Sequence, residues 1–261
     1  MDSLERALIE KAGYGHGFEN VRESTPEKVV LFSARHRAEA CVSLGDAGAG
    51  GGWHAAFPQG PSQTELVRTL PEIPFQNRVF GPLEERALCR LLRRAAELAC
   101  ALPNHAAEEY RRESARVDAA PPSATEAVRL TKQRMGQDLY RQALLDYWGG
   151  CAVTGIEQPE LLRASHAKPW AECGSDEERL NVFNGFLLCA HLDALFDRGL
   201  LSFTDDGVGL LSPALSQRTV EKLQLNANLR LRWVAPDHHA FLQWHRQLVF
   251  QKEGDSSENQ I

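Results

Sequence analysis

Apolar residues fall at three- and four-residue intervals in SLERALIEKAG, and the run stops at Gly13, a spacing that predicts a short opening helix. KVVLFSA at 28–34, RAEACVSL at 37–44 and GWHAAF at 52–57 alternate or are β-branched instead, the pattern of three short strands in a partly buried sheet. Between the last two, GDAGAGGG lacks the spaced Gly-x-x-x-x-Gly-Lys-Ser/Thr pattern of a phosphate cradle and reads as a flexible loop. From Pro82 to Leu102, a proline and acidic residues open a long leucine and alanine stripe, which predicts the helix that closes a first core. RRESARVDAAPPSATEAV then mixes charge, small residues and the Pro121, Pro122 pair, as linkers do. The fold class expected is α+β in two domains: a small α/β module over 1–115, a linker at 116–126, a second domain over 127–252 and a frayed tail at 253–261.

Helical spacing resumes over 125–147, with Ser123 or Thr125 as cap, Glu126 at capping-box distance from Ser123, and Gly149 and Gly150 as the stop. LLRASH then reads as a strand carrying His166, ended by Pro169 and Trp170; NGFLL reads as a turn leading out of Asn184, and AHLDALFD as a helix. LLSFTDDGVGLLS resembles a hairpin with an Asp-Gly turn, and LRLRW a basic strand with Arg230 and Arg232 on one face. The segment at 237–251 is an amphipathic helix in which Trp244 and Phe250 assign His238, His239 and His245 to core closure rather than to a metal.

Composition narrows the class. The 261 residues are 43% hydrophobic and 25% charged, which suits globular material and excludes wholesale disorder. A formal charge of -6 excludes a histone-like binder acting through bulk positive charge, so any nucleic-acid contact is local. The most basic stretch is Arg129, Lys132, Arg134 and Arg141. Six scattered cysteines without a Cys-x-x-Cys pair read as reduced core thiols. The first residues include acidic ones, and no apolar run approaches the roughly twenty residues of a membrane helix, so a soluble cytoplasmic protein is expected.

Asp193 and Asp197 stand four apart, on one face of the predicted helix, where like charges repel unless a divalent cation reconciles them. His166 offers an imidazole able to take a proton from water near neutral pH, although a lone histidine is more often just a polar or core residue. Asn184 can orient a neighbouring imidazole through its side-chain carbonyl, or form a plain Asn-Gly turn.

Taken together these residues resemble the HNH endonucleases, built on the ββα-metal fold, in the branch with a Ser-His-x-x-Pro-Trp first motif and an Asn-Gly…Asp-x-x-Phe-Asp-x-Gly second motif. The motifs here read SHAKPW at 165–170 and NGFLLCAHLDALFDRGL at 184–200, preceded by CAVTG at 151–155. The resemblance covers residues 130–215 and leaves the amino-terminal half unmatched. It implies that His166 is the general base, that Asn184 holds that histidine and its loop, and that Asp193 and Asp197 bind a divalent ion, with Mg²⁺ expected first and Mn²⁺ or another transition metal as alternatives. His191, the second histidine of the family name, lies two residues before Asp193, and reads as a catalytic or metal-binding group, a phosphate contact or a packing residue. Ser165 stands where many relatives carry an Asp or His ligand, so water and phosphate oxygens would complete the shell. Lys168, Arg198, Arg134 and Arg141 are candidate phosphate or DNA contacts, each with an ordinary surface charge as its alternative.

The implied reaction is one-metal phosphodiester hydrolysis leaving a 5′-phosphate. The amino-terminal module then reads as a target reader or oligomerisation domain, and the whole as a restriction-type or phage-defence nuclease acting on plain or modified DNA. A homodimer would bring two single-strand cutters to opposite strands. The competing reading is a non-catalytic DNA-binding or regulatory protein on the same fold.

Overall fold

Helix α1 (Ser3–Gly15) opens on a capping box in which the Asp2 carboxylate accepts from the Glu5 amide and the Glu5 carboxylate from that of Asp2. It continues two residues beyond the predicted stop at Gly13, whose missing side chain lets the helix lie close on Leu31: a Cβ there would meet that side chain at 2.8 Å. After β1 (Asn20–Ser24), strands β2 (Lys28–Ser33) and β3 (Ala38–Leu44) bury alternate residues, Val29 and Leu31 from one and Ala38, Ala40 and Val42 from the other. Strand β4 (Trp53–Ala56), helix α2 (Pro61–Thr69), β5 (Phe75–Gln76) and β6 (Val79–Leu83) complete an antiparallel sheet in the order β1-β2-β3-β4-β6-β5. Helix α3 (Glu85–Ala101) covers it with Leu88, Leu91, Leu92, Ala95 and Leu98, each fully buried leucine worth about 1.5–3 kcal/mol. The predicted helix start at Pro82 is corrected: Pro82 and Leu83 end β6, and the helix begins at Glu85.

This architecture comes from a computed structural model that describes residues 1–45, 52–102, 104–119, 125–225 and 229–252. The chain divides into two compact units, Met1–Pro103 and Asn104–Ile261. Most of GDAGAGGG, the Pro121, Pro122 pair, Ser123 and the 253–261 tail lie outside the described residues, as do the side chains of Thr125 and Glu126.

In the second unit α4 (His105–Asp118) takes up the residues read as the start of a linker, burying Ala106, Ala107 and Tyr110 along a narrow stripe. Helix α5 (Thr125–Trp148) follows, with Tyr140, Ala143, Leu144, Tyr147 and Trp148 buried. Strand β7 (Leu162–His166), the short α6 (Asp176–Arg179), β8 (Gly185–Cys189) and α7 (Ala190–Asp197) form a hairpin followed by a helix that packs on both strands. The register runs from Leu162↔Cys189 to His166↔Gly185. NGFLL is thus not a turn: Gly185 onward is a strand buried at every position. Strands β9 (Leu201–Phe203) and β10 (Gly209–Leu211) make the expected hairpin, then α8 (Gln217–Lys222) and α9 (His239–Leu248) follow.

LRLRW is not a strand. Arg230 forms one isolated bridge to Val208, and the Arg232 guanidinium is drawn to the Trp148 and Gly150 carbonyls, which end α5. His238 packs parallel to Phe186 at 5.4 Å in a core shared with Trp148, Phe196 and Phe203. All six cysteines are free thiols. No helix among the described residues is long and apolar enough to cross a membrane.

Candidate active site

Successive residues of a strand face opposite sides, and at the end of β7 that alternation separates two polar groups. Ser165 turns toward α7, where its hydroxyl donates to Asp193 Oδ1 at 2.5 Å. His166 turns toward α5, where its ring stacks on Tyr140 with centroids 3.9 Å apart and planes 17° from parallel. His166 Nε2 lies 2.8 Å from the Arg179 carbonyl. A carbonyl can only accept, so Nε2 carries the hydrogen and the neutral ring holds its lone pair on Nδ1. Burial pushes the His166 pKa down to about 4, so the imidazole is unprotonated at neutral pH.

The chain between the two strands is tied down by Asn184, which is completely buried. Its Oδ1 accepts from the Lys168 amide at 2.8 Å, while Nδ2 donates to the carbonyls of Lys168 at 3.2 Å and Glu178 at 3.1 Å. The expected contact between this amide oxygen and the imidazole is replaced by a backbone clamp. Asn184 grips the residue two beyond His166 and the residue just before Arg179, so it holds His166 at one remove. Arg179 closes the same loop, donating to the Trp170 and Cys173 carbonyls and pairing with Asp176.

On α7, Asp193 and Asp197 share a face because residues four apart are offset by only about 40° at roughly 100° per residue. The Asp197 carboxyl is raised to about 6, first by its poorly hydrated surroundings and then by the charge of Asp193, although the residue as a whole is exposed. A cleft of about 320 Å³ brings Asp197 together with His166, Ala164, Trp170, His245 and Val249. Two hard carboxylates that resist joint ionisation suit a divalent cation, and Mg²⁺ is commonly held by one or two carboxylates plus substrate phosphate and water. His191 is exposed in the first turn of α7, two residues and so about 200° around the helix from Asp193. Among the described residues no group of three or more His, Cys, Asp or Glu side chains is arranged to hold a metal.

His245 was assigned to core closure and is indeed buried, yet it also lines the cleft. Its Nε2 donates to the Phe196 carbonyl at 3.1 Å, Nδ1 accepts from the Ser202 hydroxyl at 2.9 Å, and the ring stacks on Phe196 at 3.9 Å. It therefore fastens the last turn of α7 beside Asp197. Nothing in an amphipathic helix sequence distinguishes this histidine from its neighbours.

The basic candidates separate. Arg141, half-buried, donates to the Leu162 and Pro159 carbonyls at 2.8 and 2.6 Å, which anchors α5 beside the start of β7 and commits its guanidinium to the chain's own backbone. Lys168 pairs with Glu178 at 2.7 Å. Arg198 and Arg134 are exposed, the first next to Asp197 and the second on α5.

An antiparallel hairpin bearing an imidazole, followed by a helix bearing two carboxylates, makes a ββα unit. Residues 151–204 match the family model described as HNH endonuclease. No curated protein matches the chain.

Proposed function

We propose that the carboxy-terminal unit hydrolyses DNA phosphodiester bonds with a divalent cation, as a restriction-type or phage-defence endonuclease whose target is chosen by the amino-terminal unit. The observation that carries this reading is the shared cleft, where a neutral imidazole with its lone pair on Nδ1 faces the same space as Asp197.

His166 Nδ1 takes a proton from water, the water oxygen bonds to phosphorus, and the bond to the 3′-oxygen breaks; that oxygen takes a proton from solvent, leaving a 5′-phosphate and a 3′-hydroxyl, and the imidazolium returns its proton to solvent. The imidazolium so formed keeps its Nε2 hydrogen on the Arg179 carbonyl, which favours the charged ring. Asp193 and Asp197 would hold Mg²⁺ or Mn²⁺, which when bound stabilises charge developing on the phosphate and leaving oxygen. Ser165 orients Asp193 rather than replacing a ligand. Arg198 and Arg134 supply local positive charge for phosphate in a chain of net charge -6.

Plasmid nicking tests this directly. Wild type is expected to nick with Mg²⁺ or Mn²⁺ and to stop with EDTA; His166→Ala should lose about 10²-fold or more in rate, and Asp193→Ala should lose metal-stimulated nicking. Undiminished nicking by both variants would overturn the assignment. DNA binding without nicking of plain or modified plasmids would favour a non-catalytic binding protein instead.

A further inference from the structure

A hydrogen bond at one ring atom fixes where an imidazole sits but leaves it free to swing about that contact. The Nε2 contact to Arg179 therefore does not by itself set the direction of the Nδ1 lone pair. A flat plate against the ring face does, and Tyr140 is that plate at 3.9 Å and 17°. The Trp170 ring stands edge-on to the same imidazole at 5.9 Å and 87°.

Several features hold Tyr140 in place. Its hydroxyl donates to the Asn184 carbonyl at 3.0 Å, so the residue that stacks on His166 also grips the clamp of the 167–183 loop. The approach requires Gly185, because a Cβ there would lie 2.1 Å from the Tyr140 hydroxyl and 2.1 Å from the Ser165 carbonyl. The next residue, Arg141, pins α5 to the carbonyls of Pro159 and Leu162. One turn earlier, Gly136 leaves room for the Trp170 indole, which a Cβ would meet at 2.5 Å. Tyr140 lies ahead of the segment matched by the HNH family model, which begins at residue 151.

We infer that Tyr140 is a positioning residue for His166, fixing the plane of the imidazole by its ring and the loop beside it by its hydroxyl. This rests on His166 being the general base. Misorientation of a reacting group by about 1 Å lowers a rate by about 10²-fold, and binding need not change with it. The side chain acts on turnover through His166 and has no role in holding DNA.

The test is nicking of supercoiled plasmid, plain or carrying 5-methylcytosine, with Mn²⁺ or Mg²⁺, by the full chain. Tyr140→Phe keeps the plate and loses the hydroxyl; Tyr140→Met fills similar space without a ring. We expect kcat to fall about fivefold in the first and about 50-fold in the second, with KM for plasmid within about twofold of wild type. In a His166→Ala background neither substitution should lower the residual rate further, because the side chain acts only through that imidazole. Unchanged kcat in the folded variants, a change confined to KM, or equal losses with and without His166 would overturn the inference. Tyr140→Phe alone decides if Tyr140→Met does not fold. Failure of the underlying reading is separately visible: His166→Ala would then nick like wild type, or wild type would cut neither plasmid, and the inference would fall with it.

Discussion

At the scale of single residues, the site is a set of groups held away from their ordinary protonation. Asp197, raised to about 6 by poor hydration and then by Asp193, is a carboxyl whose ionisation works against the fold, a conflict that the proposed cation would offset. Asp197→Asn keeps the shape and removes that conflict. Without metal the variant should melt about 2 °C above wild type, and the rise that Mg²⁺ gives wild type should disappear, both measured by thermal melting. A lower metal-free melting temperature would mean that the two carboxylates do not oppose each other. His166, Asp193 and Asp197 were legible in the sequence because spacing and motif pointed to them. The manner in which Asn184 acts was not, because a buried amide can clamp a loop or touch an imidazole with the same residues around it. Tyr140 and His245 carried no signal of their own, since aromatic and histidine residues on apolar helix faces are ordinary core material.

Among elements, the position of Asp197 depends on a junction that no single motif describes. The last turn of α7 is fastened by His245 from α9, and the chain leaves it through Gly199, at φ +67°, where a Cβ would lie 2.0 Å from the Val249 carbonyl. Gly199→Ala combines a left-handed backbone with a backbone collision, so urea denaturation should show a loss of about 2–4 kcal/mol. A loss below about 1 kcal/mol would mean the junction relaxes freely. The helices α3, α5 and α9 and the strands β2 and β3 could be read ahead because each has a wide apolar stripe or strict alternation. By contrast β1 is NVRES, exposed or nearly so throughout, and α4 is richly charged with only a narrow alanine and tyrosine stripe; pairing and packing define them, not periodicity. β8 was mistaken for a turn because burial on both faces removes alternation and leaves only the Asn-Gly pair as a local cue.

For the molecule as a whole, the two histidines depressed furthest set a pH dependence, with His36 lowered by burial in the same sense. His166 and His245 are both lowered to about 4 by burial, whereas in the unfolded chain they protonate near 6.5. Below 6.5 the unfolded state binds protons that the folded state refuses, so their contribution is full above 6.5 and is lost as pH falls toward 4. Asp197 acts in the opposite sense, its unfavourable ionisation being relieved below about 6, but it is one group against two. Glu19, lowered to about 2, loses its contribution only at more acid pH, below its ordinary range. The urea midpoint should therefore be lower at pH 5 than at pH 7; an equal or higher midpoint would show that one of the two imidazoles is hydrated. The charge of -6 is compatible with the proposed DNA partner, because exposed arginines such as Arg198 and Arg134 would act locally, within a Debye length of about 8–10 Å.

The His166 site draws on three stretches of chain: Tyr140, stacked on the imidazole from ahead of the matched segment at 151–204, the hairpin and helix within it, and His245 with Val249, which line the cleft from beyond it. A fragment trimmed to the matched segment would keep every motif residue and lose both the plate behind the imidazole and the anchor at the end of the carboxylate helix. Under the proposed function, a fusion that borrows the cutting unit would need the piece from α5 through α9, and a transplant judged by motifs alone would arrive intact in sequence and slack in geometry.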